Sequence, residues 1–259
     1  MRQGRHRARP EGARRPRRQR SCRVRTDRRA GEGRAGQGLI TSKDNERLKL
    51  VRKLHERRWR EKLGLFAVEG EDLVVAAGGV EPVELLVAGE NVEPSLLAEV
   101  STLAHPPRVI GVYRRDDLPR GPLPEVGLAL WHVADPGNVG TLLRAADALG
   151  PAFVALSAGC ADPTGPKALR ASMGAVFRVP TCAFDDAPGR RVALVPRDGT
   201  PLGEVELEGP TVFLLGAERE GLPGDLRVDE RASIPQAGGA ESLNVALAGA
   251  IALYERLRR

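Results

Sequence analysis

Apolar and polar positions alternate in two different rhythms on either side of residue 124. In the first part, Leu48, Val51 and Leu54 recur at helical spacing behind Thr41-Ser42-Lys43-Asp44-Asn45-Glu46, whose short polar side chains suit the free amides of a helix start. The intervening Lys49, Arg52, Lys53, Arg57, Arg58 and Arg60 make the other face basic. Leu65 to Val68 reads as a strand, Asp72 to Ala77 as a short helix and Val83 to Val87 as a second strand, so residues 39–114 suit a small α/β domain. The stretch from Arg114 to Pro124, with two Asp, three Arg and three Pro, reads as a linker placed at 115–124.

From residue 125 to 259 short aliphatic runs alternate with helical patterns. Val126 to Val133, Phe153 to Leu156, Val192 to Val195 and Thr211 to Leu215 read as strands, with a short one ending at Ile234. Helices are expected over Asn138 to Leu149, Pro166 to Gly174 and Ser242 to Leu257, the last with a buried stripe of Leu243, Leu247, Ala250, Ile251 and Tyr254. That alternation predicts an α/β fold with a parallel sheet and helices on both faces. In such sheets, ligands gather at the loops beyond the carboxyl ends of the strands.

Composition narrows the class. With 41% apolar residues in 259, the chain can bury a sizeable core, which excludes disorder throughout. No apolar run reaches the roughly 18 to 20 residues of a membrane span, and no membrane partner is expected. Three separated cysteines, Cys22, Cys160 and Cys182, favour neither a disulfide framework nor a zinc site, and a reducing, cytoplasmic setting fits. The net charge of +6 arises in the first 38 residues, where 14 arginines face three acids; the remainder of the chain is net acidic. This tail has almost nothing apolar to bury. It reads either as a disordered arginine-rich arm able to bind RNA or as translation upstream of a true start near Leu39.

Three loops stand where chemistry is expected. The first, Asp135-Pro136-Gly137-Asn138-Val139-Gly140-Thr141-Leu142-Leu143-Arg144, offers Asn138 as a helix cap, with Arg144 six positions on and able to share its face. The second is Leu215-Gly216-Ala217-Glu218-Arg219-Glu220-Gly221-Leu222-Pro223, in which two glycines bracket acids and permit close approach to main-chain amides. It matches neither a dinucleotide fingerprint nor a phosphate-binding loop. The third runs from Ile234-Pro235-Gln236 through a glycine-rich stretch to Ser242-Leu243-Asn244-Val245, with Ser242 as a helix cap and Asn244 as a polar amide in an apolar stretch that needs partners. Taken singly, each also reads as ordinary: a capped helix with a surface arginine, a strand-to-helix turn with solvated acids, and a satisfied structural asparagine. No His or Cys cluster has metal-ligand spacing, so no metal is expected. His6, His55, His105 and His132 form no nucleophile elbow, and His132, at a strand end, reads as a packed residue.

As an ordered set, Asn138 to Arg144, Gly216 to Leu222, and Ile234-Pro235 with Ser242 to Val245 resemble the three motifs of the SpoU (TrmH) family of RNA ribose 2′-O-methyltransferases. Pro166 to Ala175 is similar to the family's intervening segment, and Phe66-Ala67-Val68-Glu69-Gly70-Glu71 to its N-terminal substrate-binding domain. The likeness spans residues 39–259. It implies a trefoil-knotted, parallel-sheet methyltransferase domain, the cofactor S-adenosyl-L-methionine, and a homodimer formed through the knotted domain. By the same resemblance, Leu215, Gly216, Ile234, Pro235, Leu243 and Asn244 contact the cofactor, and Arg144, Asn138, Glu218, Ser242 and Asn244 form the catalytic set, with Asn138 and Arg144 near the site completed across the dimer. Gln236 departs from the methionine common after Ile-Pro, and Pro151 after Gly150 ends a helix. A guanidinium is a poor base, so Arg144 is expected to orient phosphate and ribose and to lower the hydroxyl pKa, while a water or phosphate oxygen takes the proton. RNA is the expected partner, ribosomal RNA ahead of tRNA; the basic N-terminal face from Arg52 to Arg60 argues for a structured RNA over a small molecule, although it also reads as an ordinary solvated helix. The 3% aromatic content argues against single-strand reading by stacking. A non-catalytic RNA-binding or ribosome-assembly protein on the same fold is the alternative, and a nicotinamide-dependent enzyme lacks its glycine fingerprint.

Overall fold

A computed structural model describes residues 38–237 and 242–259 of the chain. The expectations for the arginine-rich tail and for 238–241 of the third loop lie outside the described residues.

The first part opens with Asn45, whose side chain accepts from Arg47 N and caps α1 (Glu46–Leu54). Leu48, Val51 and Leu54 are fully buried, as the spacing predicts. The basic helix is broken after Leu54: α2 (Arg57–Leu63) starts afresh and ends on Gly64 in the left-handed region. Then follow β1 (Leu65–Glu69), α3 (Glu71–Ala76), β2 (Glu84–Val87), α4 (Pro94–Val100) and β3 (Val109–Arg114). The three strands form an antiparallel sheet ordered β1-β3-β2. Arg60 departs from the expected basic face. It is only 4% exposed, because its Nε donates to Asp162 at 2.8 Å and its Nη1 to the carbonyls of Leu54 and His55.

The second part comprises β4 (Val126–Leu130), α5 (Pro136–Ala148), β5 (Ala152–Leu156), α6 (Pro166–Ser172), β6 (Thr181–Ala183), β7 (Arg190–Leu194), β8 (Thr200–Pro201), β9 (Thr211–Leu215), β10 (Glu230–Ser233) and α7 (Val245–Leu257). All seven strands run parallel in the order β6-β5-β4-β9-β7-β10-β8. Side chains alternate across the sheet. Leu128, Leu130, Val154, Phe213 and Leu215 meet residues of α5 and α7 on one face. Ala129, Phe153, Ala155, Val212 and Leu214 face the other. There the expected α-helical layer is replaced by a 3₁₀ turn at Phe184–Asp186 and by Leu222, Leu226 and Val228 from the segment after β9.

The stripe expected to be buried on the last helix is also corrected. Val245, Ala246, Gly249, Ala252 and Leu253 are the buried positions, whereas Leu247, Ile251 and Tyr254 are exposed, Leu247 by 54%. Both faces of this helix are apolar, so periodicity alone picks the wrong one. Small residues go inward because α7 lies tight on α5: a Cβ at Gly249 would stand 2.4 Å from Leu142 Cδ2.

The two parts share a core despite the connecting linker. Phe66, Val68, Leu73 and Tyr113 pack with Leu169, Val176 and Phe177 of the second part, and the rings of Phe66, Tyr113 and Phe177 lie 5.2–6.0 Å apart. The Arg60–Asp162 pair and the Arg57 Nη1 bond to Cys160 O at 3.0 Å fasten α2 to the loop after β5. This combination of apolar burial and a buried ion pair fixes α2 relative to the carboxyl end of the large sheet.

Candidate active site

Beyond the carboxyl ends of β4, β9 and β10 the three loops meet. Asp135 caps α5, its carboxylate accepting from Asn138 N at 3.0 Å and from Lys167 Nζ at 2.9 Å. The Lys167 ammonium, followed by the Asn138 amide, holds this carboxyl below the ordinary aspartate range. The expectation of Asn138 as cap is therefore corrected. Asp135 precedes Pro136 at the helix start, where proline fits and the residue before it is held extended, so Asn138 falls inside the first turn with its side chain free for other bonds.

Asn138 Nδ2 donates to the Glu218 carboxylate, and Asn244 Nδ2 donates to Asn138 Oδ1 at 3.2 Å. Asn244 Oδ1 in turn accepts from Ala246 N at 2.9 Å and Leu247 N at 3.3 Å. The direction of the whole chain follows from that last pair. Helix amides require an oxygen, so the Asn244 NH₂ must face Asn138, whose own NH₂ is left for the acceptor-only carboxylate. One residue from each loop is thereby tied to its neighbours. Asn244, rather than Ser242, caps α7, because the helix starts at Val245, three positions beyond the expected start.

The same loops wall a cavity of about 510 Å³, a volume typical of small-molecule sites. Leu215, Gly216 and Glu218 line it after β9, Ile234 and Gln236 after β10, and Ser242, Leu243 and Asn244 before α7. Gly216 is required by close approach: a Cβ there would stand 2.2 Å from the main-chain carbon of Gly221. Gly221 itself has φ 70° and donates its N–H to Ala217 O at 2.9 Å. The bracketing glycines thus close a tight hairpin that exposes main chain to the cavity.

Of the sequence-derived residues, Asn138, Glu218 and Asn244 are brought together by hydrogen bonds, and Leu215, Gly216, Ile234, Ser242 and Leu243 stand on the cavity wall with Glu218 and Asn244. Pro235 is exposed and outside the wall. Arg144 is exposed on α5, also outside the wall, with no hydrogen bond or ion pair among the described residues. His132 is not packed inside, as its position suggested: it is exposed, holds φ 54°, and lies stacked on Trp131 at 4.6 Å and 9°. Sequence reasoning missed Asp135 as the cap, Lys167 as its partner, and Leu194, Val195 and Pro196 as wall. Pro136 after an acid signalled the first, and a position just past a strand signalled the last.

Residues 125–254 match the model of the SpoU rRNA Methylase family, and residues 45–115 that of the MRM3-like substrate binding domain. An uncharacterized tRNA/rRNA methyltransferase of Synechocystis sp. is 32% identical over 85% of this chain and 93% of its own length. The 23S rRNA (guanosine(2553)-2′-O)-methyltransferase of Bacillus subtilis is 32% identical over 83% of this chain and 97% of its own. The AdoMet-bound rRNA methyltransferase of Sinorhizobium meliloti superposes with a TM-score of 0.75 at 30% identity, covering 86% of this chain and 98% of that one. Three loops on one cavity, a seven-stranded parallel sheet and these matches have one conclusion: the chain belongs to the SpoU rRNA methylase family.

Proposed function

We propose that this protein transfers a methyl group from S-adenosylmethionine to a ribose 2′-hydroxyl of ribosomal RNA. The observation that carries the reading is the bonded set Asn138–Glu218 and Asn138–Asn244 at the mouth of a cavity walled by all three loops. The cavity fits the cofactor: the Gly216–Gly221 hairpin is a cradle that a Cβ would fill, and apolar Leu215, Ile234 and Leu243 stand beside it. These residues, with Asn244, would hold the cofactor, whereas Pro235, outside the wall, would not. When bound, S-adenosylmethionine supplies an electrophilic methyl group on a sulfonium centre.

The residues' part is positioning, since a ribose hydroxyl is a weak nucleophile and must be aligned to react. Asn138, fixed by Glu218 and Asn244, and Ser242 orient the hydroxyl. Arg144 binds the adjoining phosphate, and its charge favours the alkoxide. The hydroxyl proton passes to a water or a phosphate oxygen. Because Arg144 stands outside its own cavity while the α7 face of Leu247, Ile251 and Tyr254 is exposed and apolar, the protein works as a homodimer in which that face is covered and Arg144 completes the site across the interface. Residues 39–114 bind RNA, and 125–259 form the methyltransferase domain. Its non-sequential order β4-β9-β7-β10 and the three converging loops support a trefoil knot. A ribosomal substrate and the free thiols of Cys160 and Cys182 support action in the cytoplasm.

Calorimetric titration with S-adenosylmethionine, then transfer to protein-stripped ribosomal RNA and digestion to nucleosides, tests the reading. A 2′-O-methylated nucleoside is the expected product. Cofactor binding with methyl groups on a base, or no cofactor binding, overturns it.

A further inference from the structure

The basic residues of α1 and α2 fall into two sets with different surroundings. One set is bonded: Arg57 Nη1 donates to Cys160 O at 3.0 Å, Arg60 Nε to Asp162 at 2.8 Å, and Lys49 and Arg52 pair with Glu46 and Glu99. The other set surrounds the half-buried ring of Trp59, with Lys62 Nζ at 5.2 Å, Lys53 Nζ at 5.5 Å and Arg58 Cζ at 5.5 Å from its centroid. Arg58 also pairs with Glu56. Lys53 and Lys62 are exposed and make no hydrogen bond or salt bridge among the described residues. At about 3.6 residues per turn, Arg57 and Arg60 share one side of α2, and Arg58, Trp59 and Lys62 lie on the other. The bonds that fasten α2 to the loop after β5 therefore leave the Trp59 side turned away from that loop.

The break after Leu54 is what gathers this second set. In one unbroken helix, Lys53 and Lys62 would be about two and a half turns apart and would point to opposite sides. Because α1 ends and α2 starts afresh, both reach the same ring. Three like charges at such spacing repel one another. The negative face of an indole attracts cations and offsets that repulsion. Holding the long side chains against the ring also removes in advance part of the freedom they would lose on binding an anion. Since the chain beyond its tail is net acidic, the cluster is a local reversal of sign.

We propose that Lys53, Arg58 and Lys62, collected by Trp59, grip the phosphate backbone of the RNA substrate. This rests on the reading that residues 39–114 bind ribosomal RNA and deepens it by naming the contact. The indole collects charge and does not stack bases, in keeping with a chain that is 3% aromatic. Backbone contacts position a nucleic acid without reading its sequence, so the cluster sets affinity and placement and leaves the choice of base to other contacts. Arg57 and Arg60, bonded on the opposite side of α2, hold the grip in place relative to the large sheet.

The test compares wild type with Lys53→Gln/Lys62→Gln, Trp59→Leu and, as a control cation of the same domain, Arg108→Ala, whose residue pairs with Glu71. The probe is protein-stripped large-subunit ribosomal RNA. The readouts are its Kd at several salt concentrations, S-adenosylmethionine affinity by calorimetry, and 2′-O-methylated nucleoside after digestion. The lysine pair is expected to weaken RNA binding about fivefold or more and to lower the salt slope by about 0.7–0.9 per residue. Trp59→Leu keeps the charges, so it should weaken binding about two- to fivefold with the slope unchanged. Arg108→Ala should bind RNA as wild type does, and cofactor affinity should be the same throughout. An unaltered Kd and slope in the lysine pair overturn the proposal, even should Trp59→Leu fail to fold. A folded Trp59→Leu protein with wild-type Kd overturns the collecting role of the ring. An equal loss of RNA binding in Arg108→Ala, or a loss of cofactor affinity in the lysine pair, overturns the proposal as well. Lysine-dependent RNA binding without 2′-O-methylated product keeps the grip and refutes the methyltransferase reading instead.

Discussion

Replacing Asp162 by alanine should be the most damaging single change outside the cavity. The Asp162 carboxylate is 7% exposed as a residue and accepts from Arg60 Nε at 2.8 Å, Thr164 N at 2.9 Å, Thr164 Oγ1 at 2.7 Å and Arg115 Nη2 at 3.4 Å. Without it, the guanidinium of Arg60 stays buried with only two carbonyl acceptors. Removing one partner of a buried pair costs about 3–5 kcal/mol. At about 2–4 °C per kcal/mol for a chain of this size, the melting temperature should fall by about 6–20 °C. Replacing both partners together, Arg60→Met with Asp162→Leu, should cost much less, because no charge is left stranded. Urea unfolding of wild type and the two variants at neutral pH measures the difference. Burial by itself would raise the Asp162 carboxyl, but the Thr164 and Arg60 hydrogen bonds and the Arg115 charge outweigh it and hold the group below its usual 3.8. A depressed folded-state value means that this stabilisation is present above 3.8 and is lost as pH falls through the folded value. The gap between wild type and D162A should therefore shrink in acid. A loss below about 1 kcal/mol, or a double variant as unstable as D162A, would refute the reasoning.

Gly216→Ala drives a Cβ to within 2.2 Å of Gly221; at about 1–3 kcal/mol for overpacking, calorimetry should show S-adenosylmethionine binding weakened about tenfold or more. Asn244→Ala removes the α7 cap and should cost about 1 kcal/mol in urea unfolding, and also lower kcat, since Asn138 loses its partner. Arg144→Ala should lower kcat by at least about tenfold with cofactor affinity unchanged; unaltered turnover removes Arg144 from the mechanism. Leu247→Asp with Ile251→Asp should convert a dimer to a monomer by light scattering, and a variant of unchanged mass disproves the α7 interface.

Much of this architecture was legible from local pattern. Leu48, Val51 and Leu54 marked a helix face correctly because one stripe there is apolar and the rest charged. Four strands of the large sheet, β4, β5, β7 and β9, were readable as aliphatic runs, since strands buried on both faces need no polar alternation. The three loops could be located by their place after aliphatic strands, but each read alone as ordinary, and only their ordered set singled them out. Short β6 and β8, with three and two residues, were missed because so few positions carry no period.

Where two local solutions had similar energy, only the assembled chain chose between them. Asp135 and Asn138 are both competent caps, and the extended backbone before Pro136 gave the role to Asp135. Ser242 and Asn244 are both competent as well, and Asn244 won because its amide also reaches Asn138 across 106 residues. On α7 either face could be buried, and close packing on α5 turned the small residues inward. Arg60 looked like one more surface cation until Asp162, far along the chain, supplied a buried counter-charge. Sequence patterns encode periodicity and the intrinsic conformational preferences of each residue. They do not encode which distant partner arrives, and for buried polar groups and ambiguous helix faces the partner decides.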